Sequence, residues 1–311
     1  MTERQVVAIG ECMIELARGA DGRFCQSFGG DTFNTSVYLA RCGVATAYAT
    51  ALGVDAYSTG IVELAEREGV ATHLTFRRPG RMPGLYLIET TPGGERSFFY
   101  WRDRAPAREL LDGDDAGVIA DAVAGARLVY FSGITLSLYS PLGLDRLAGA
   151  LERARSAGAH VAMDSNYRPR GWGDDQSRAR QVMERFWRLA TIGLPTHDDE
   201  AALWGDTDAH ATIARLGHLG VEEVAVKLGA EGVLVAGRGD AAPVHVPASH
   251  VARVVDTTAA GDSFNAAYLA ARLDGRPRPE AARAGHRLAG VVVAHRGAIV
   301  PLQATNAVIG R

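Results

Sequence analysis

The chain has 311 residues, 47% of them hydrophobic and 22% charged, which is ordinary globular material long enough to bury a sizeable core in at most two domains. A formal charge of −3 and a pI near 6.3 leave no basic footprint for nucleic acid or an anionic membrane, so neither is expected as a partner. Cys12, Cys25 and Cys42 are odd in number and lack C-x-x-C spacing, which argues against a disulfide framework or a zinc site; reduced, mostly buried thiols are expected.

The N-terminal stretch "MTERQVVAIGECMIEL" has neither a basic n-region nor a small-residue cleavage site, and no apolar run reaches membrane-spanning length, so a cytoplasmic protein is expected. From there the apolar pattern predicts a strand at 6–10 and a hairpin over 13–28. A helix at 31–42, a strand at 45–52 and a helix at 55–68 follow. A second hairpin is predicted over 84–102, turning at Pro92-Gly93-Gly94. Strands at 127–133, 160–165, 190–194, 223–229 and 233–237 then alternate with helices at 142–157, 175–189 and 208–219, and helices at 261–273 and 279–294 close the pattern. Such alternation predicts an α/β fold with a parallel sheet covered by helices. The two strand-only insertions, 13–28 and 84–102, predict a small separate sheet, expected to act as a lid. No repeat, charge run or linker marks an interdomain boundary, so one domain over 1–311 is expected.

"VVDTTAAGDSFNAAYLAARL" (254–273) passes from a β-branched run through small residues into a helical run, and Asp262 falls in the first helical turn. Unpaired N–H groups and the helix dipole make that turn a positive pole, and Ala259, Ala260 and Gly261 leave it open to a phosphate. Asp262 would face the phosphate's neighbour, a geometry suited to phosphoryl transfer; the plainer alternative is a carboxylate that only stabilises the helix start. No G-x-x-x-x-G-K-[ST] occurs, which excludes a P-loop kinase, and no G-x-G-x-x-G follows a strand to support a dinucleotide site.

"DTTAAGDSF" before a helix resembles the C-terminal signature of the PfkB, ribokinase-like family of carbohydrate kinases. Similarity extends through "GGDTFNTS" (29–36), "GLYLIET" (84–90), "RSFFYWR" (96–102), "DSNYRPR" (164–170), "VKLGAEG" (226–232) and "HRGAIVP" (295–301), in family order along the whole chain. Within the family the resemblance is to members that phosphorylate 2-keto-3-deoxygluconate. It implies a doubly wound α/β/α sandwich with a small β-sheet lid, with ATP and Mg²⁺ required. Asp262 is then the base for the substrate's terminal hydroxyl, and the N–H groups of Ala260, Gly261 and Asp262 form the anion hole. Asn166, Arg168, Lys227, Gly229, Ala230, Gly232 and Ala259 would line the nucleotide. Glu200 would hold magnesium through water, although this chain has His197 where many relatives carry asparagine. Gly30, Asp31, Asn34, Tyr86, Tyr100, Arg102 and Arg168 would take the sugar. Glycine permits close backbone approach, Asn34 both donates and accepts, and arginines suit a carboxylate. Tyr100 and Arg102 share a strand face, with Tyr86 across the hairpin. Lys227 is the single lysine among 33 basic residues, a bias that reflects composition, and on a strand it could equally be a solvated surface residue. Expected partners are a small sugar acid and ATP, in a homo-oligomer; the alternatives are a fructokinase-like sugar kinase and a non-catalytic sugar- or nucleotide-binding regulator on the same fold.

Overall fold

Parallel strands buried on both faces read as continuous apolar runs, and that is how the main sheet forms. The computed structural model describes residues 5–19, 21–90, 96–173 and 175–309. In chain order its elements are β1 (Val6–Ile9), β2 (Met13–Arg18), β3 (Phe24–Gly29), α1 (Asp31–Arg41), β4 (Thr46–Leu52), α2 (Ala56–Arg67), β5 (Thr75–Arg77), β6 (Leu85–Thr90), β7 (Arg96–Trp101), α3 (Ala116–Gly125), β8 (Leu128–Ser132), α4 (Gly133–Leu138), α5 (Pro141–Ser156), β9 (His160–Asp164), α6 (Gln176–Trp187), β10 (Ile192–Gly193), α7 (His197–Trp204), α8 (Ala209–His218), β11 (Glu223–Lys227), β12 (Val233–Gly237), β13 (Val244–Val246), α9 (Ala260–Leu273), α10 (Arg278–Val292) and α11 (Leu302–Ile309).

The main sheet runs β13-β12-β11-β10-β9-β8-β1-β4-β5, parallel from β5 to β11, with β12 and β13 antiparallel at one edge. Alternate residues feed two cores: Val7, Ile9, Val129 and Phe131 pack beneath α3, α5 and α6, whereas Val6, Ala8, Leu128 and Tyr130 pack with α1, α9 and α10. The result is the expected α/β/α sandwich. From β1 the main sheet is continued by β4 on one side and by β8 on the other, so the strand order reverses at β1; in open α/β sheets a ligand crevice lies beyond the strand C-termini at such a point.

The two hairpins form the second sheet, ordered β3-β2-β6-β7, with β2 and β6 joining them in parallel. The Pro-Gly-Gly turn expected within 84–102 lies outside the described residues. Several elements depart from the sequence reading. The strand expected at 190–194 pairs only over Ile192–Gly193, and α3, α4, α11, β5 and β13 went unanticipated. All three cysteines are free thiols, but only Cys12 is buried and Cys25 is exposed, so the expectation of mostly buried thiols is corrected. Among the described residues no helix is long and apolar enough to cross a membrane.

Candidate active site

Asp262 sits in the first turn of α9, behind Ala259, whose φ of 59° and ψ of 16° put a non-glycine residue in the left-handed region. In that turn the Ala260 N–H donates to the Thr257 carbonyl at 3.2 Å, so of the three expected anion-hole donors it is already engaged, and those of Gly261 and Asp262 remain as candidates. Asn34, from α1, donates to Asp262 Oδ2 at 2.8 Å, and Thr35 Oγ1 donates to the Asp262 carbonyl at 3.3 Å. Burial and the neighbouring carboxylates Asp31 and Asp164 push the Asp262 carboxyl up to about 8, against the pull of Asn34 and Lys227.

Gly30 opens α1 where its backbone passes over the β1–β2 connection: a Cβ there would lie 2.1 Å from the Glu11 carbonyl oxygen. Close approach, rather than a turn alone, accounts for this glycine. It brings Asp31 and Asn34 to the crevice, where Asn166 Nδ2 donates to Asp31 Oδ2 at 2.8 Å. Asn166 itself has φ 28°, a strained junction at the end of β9 that asparagine tolerates better than most side chains.

Lys227 is not a surface lysine. It is 7% exposed at the end of β11, and its Nζ donates to Asp164 Oδ2 at 2.8 Å and to Asn265 Oδ1 at 3.1 Å. The same ammonium lies 3.7 Å from the position a Cβ on Gly261 would occupy, beside the first turn of α9. Beyond it Gly229, Ala230 and Glu231 make a short 3-10 turn ending at Gly232, whose φ of 109° and approach to the Val246 carbonyl (2.3 Å from a notional Cβ) require glycine.

On the small sheet Tyr86 and Tyr100 pair across β6 and β7, with ring centroids 6.0 Å apart. The Tyr86 hydroxyl donates to buried Glu15, which also accepts from Ser27 Oγ at 2.8 Å. Arg102 is ion-paired with Glu11, which is 3% exposed and whose carboxyl burial pushes up; Arg102 Nε and Glu11 Oε1 are both buried without a hydrogen-bond partner. Sequence reasoning missed Glu11 and Glu15.

Arg168 does not join this group. Its Nη1 donates to the Tyr167 carbonyl at 2.8 Å and to Asp199 Oδ1 at 3.0 Å, which sets it on the α7 side of the crevice. Arg170 is the one that reaches the small sheet, donating to the Phe98 carbonyl at 3.2 Å and lying 6.0 Å from the Tyr100 ring centroid. Glu200 is 1% exposed, ion-paired with Arg215, and pushed by burial up to about 7, with Oε1 left without a partner. No group of three or more His, Cys, Asp or Glu among the described residues is arranged to hold a metal ion.

A carboxylate at a helix N-terminus, a lysine beside it and a small sheet over the crevice, all on a ribokinase-like sandwich, define the class of the protein. The sequence model of the pfkB family carbohydrate kinases matches residues 3–305, and the chain belongs to that family. It is 43% identical over 311 residues to a 2-dehydro-3-deoxygluconokinase of Escherichia coli (98% of this chain, 99% of the relative). It is 42% identical over 314 residues to the enzyme of the same name from Dickeya dadantii (99% and 100%). Among solved structures, the 2-dehydro-3-deoxygluconokinase of Thermotoga maritima superposes with a TM-score of 0.84 at 23% identity, covering 99% of this chain and 98% of that one.

Proposed function

We propose that the protein transfers the γ-phosphoryl group of ATP to the terminal 6-hydroxyl of 2-keto-3-deoxygluconate (2-dehydro-3-deoxygluconate), giving 2-keto-3-deoxy-6-phosphogluconate, as a single kinase unit spanning the chain. One observation carries the reading: Asp262 holds one carboxylate oxygen on Asn34 while the Lys227 ammonium flanks the same helical turn. Curated relatives that bear the name of this activity over their full length support the substrate.

Asp262 accepts the hydroxyl proton through the oxygen that Asn34 leaves free. Transfer through a loose transition state demands little nucleophilic push, so positioning and charge stabilisation carry most of the rate. The N–H groups of Gly261 and Asp262, with Lys227, face the charge on the moving phosphoryl, and the Ala260 N–H would join them only on leaving the Thr257 carbonyl. Gly229, Ala230 and Gly232 supply an open backbone for the nucleotide, with Asn166 and Ala259 at its phosphate end. Arg168, held on Asp199, is assigned to phosphate rather than sugar. Magnesium would be held by one or two carboxylates with waters and would supply charge neutralisation on the phosphates. The orphaned Glu200 Oε1 fits such a water-mediated contact. Gly30, Asp31, Asn34, Tyr86 and Tyr100 surround the sugar, and the unpaired Arg102 Nε is the donor for its carboxylate.

The Glu11 partner also favours a second reading, because it cancels the Arg102 charge and suits a neutral ketose. ADP release with 2-keto-3-deoxygluconate, fructose and ribose at subsaturating concentration separates the two. The keto acid should give the highest kcat/KM, and Arg102→Ala should lower it roughly ten- to a hundredfold while changing neutral sugars much less. Equal losses on acidic and neutral sugars would remove Arg102 from carboxylate recognition.

A further inference from the structure

Behind the reacting groups the Lys227 ammonium is embedded in a buried polar cluster whose other members have been given no role in the reaction. Asn265, one helical turn after Asp262 on α9, is fully buried. Its Oδ1 accepts from Lys227 Nζ at 3.1 Å, and its Nδ2 donates to Asp164 Oδ2 at 2.7 Å and to the Tyr130 hydroxyl at 3.0 Å. Asp164 Oδ2 in turn accepts from Lys227 Nζ at 2.8 Å, while its Oδ1 accepts from the Asn166 backbone N–H at 3.2 Å. The amide orientation follows from the chemistry, since an ammonium only donates and a carboxylate only accepts. Two of the three ammonium protons are thereby fixed, and Nζ is held beside Gly261.

An unrestrained lysine is a point charge on a flexible stem, a poor device for meeting a transient charge at one position. We infer that Asp164 and Asn265 are positioning residues that clamp the Lys227 ammonium against the first turn of α9, so that the anion hole includes a fixed full charge. Asp164 anchors it from the sheet and Asn265 from the helix that carries Asp262, so base and cation keep one relative geometry. This inference deepens the kinase reading and rests on it for its catalytic meaning.

The test uses the full chain with Asn265→Ala, Asn265→Leu as a shape-keeping second variant, and Lys227→Met alone and combined with Asn265→Leu. Loss of the clamp should lower kcat by roughly tenfold or more, with KM for the keto acid within about threefold. In the Lys227→Met background the same Asn265 change should cost less than about threefold further. Equal losses in both backgrounds would make Asn265 a structural residue and overturn the inference. Because Lys227 is the only lysine, a protein labelled with ¹³C,¹⁵N-lysine gives one side-chain signal, readable whether or not the enzyme turns over. That signal should move in the Asn265 variants and respond less to Mg²⁺ with adenylyl imidodiphosphate. An unchanged position and response would sink the clamp. A parent protein that releases no ADP with any sugar would sink the kinase reading instead, leaving the lysine signal to decide the clamp.

Discussion

At the scale of single residues, the proposed role of Asp262 as base makes its protonation the quantity to test. Its carboxyl is pushed up to about 8, so activity that needs the carboxylate rises with pH. We predict that kcat/KM climbs on the acid side toward a plateau above about pH 8. Asp31→Asn removes a negative neighbour and so moves that limb to lower pH, whatever it does to sugar affinity. A limb that stays in place when Asp31 is neutralised would show that another group titrates. Asp262→Asn keeps the shape and removes the base, and should cut kcat by about 10²–10⁴-fold with ATP affinity nearly unchanged. Turnover within a few-fold of the parent, at equal stability, would take the role from Asp262.

At the scale of elements, α7 is tied to α8 by charge. Glu200 opens α7 inside the protein, and Arg215 on α8 meets it together with Asp206, whose Oδ2 lies 2.8 Å from Arg215 Nη2. Arg215→Met leaves a buried carboxylate with no counter-charge, and such a break costs about 3–5 kcal/mol. The sign with pH follows from Glu200. Its folded-state value, about 7, lies above the ordinary glutamate range, so ionising it costs stability as pH rises through that value, and losing Arg215 raises it further. Denaturant unfolding should therefore find the variant's deficit larger at pH 8 than at pH 5; a deficit independent of pH would mean that the pair is not what holds α7. The elements also show where sequence legibility ended. The buried parallel strands were readable as apolar runs, but "AGVIADAVAG" of α3 has small and apolar residues on most sides, and its N-cap Asp115 makes no capping hydrogen bond. β5 and β13, at three residues each, are too short to show a period. Asp262, Asn34 and Lys227, which the structure brings to one helical turn, stand out in sequence because each lies in a distinctive local stretch. Glu11, Glu15, Asp164 and Asn265 look ordinary in sequence and are gathered only by tertiary structure. Among 32 arginines nothing local told Arg168 from Arg170.

At the scale of the whole molecule, the small sheet is joined to the catalytic helix pair by one continuous path. β3 runs through Gly29 and Gly30 into α1, and α1 holds Asp262 through Asn34. A sheet that closes over the sugar would exclude water from the acceptor site and set α1 at the same time. We predict that adding the keto acid slows amide exchange across β6 and β7; protection confined to α9 and the strands of the main sheet would refute closure. The gathering of Asp31 and Asp164 near Asp262 has a further result, in the solvent outside the protein. A cation placed beside Asp262 favours loss of its proton and an anion favours uptake, so ligand binding there exchanges protons with the medium. The heat of binding then depends on the ionisation enthalpy of the buffer, and Asp262→Asn should reduce that dependence.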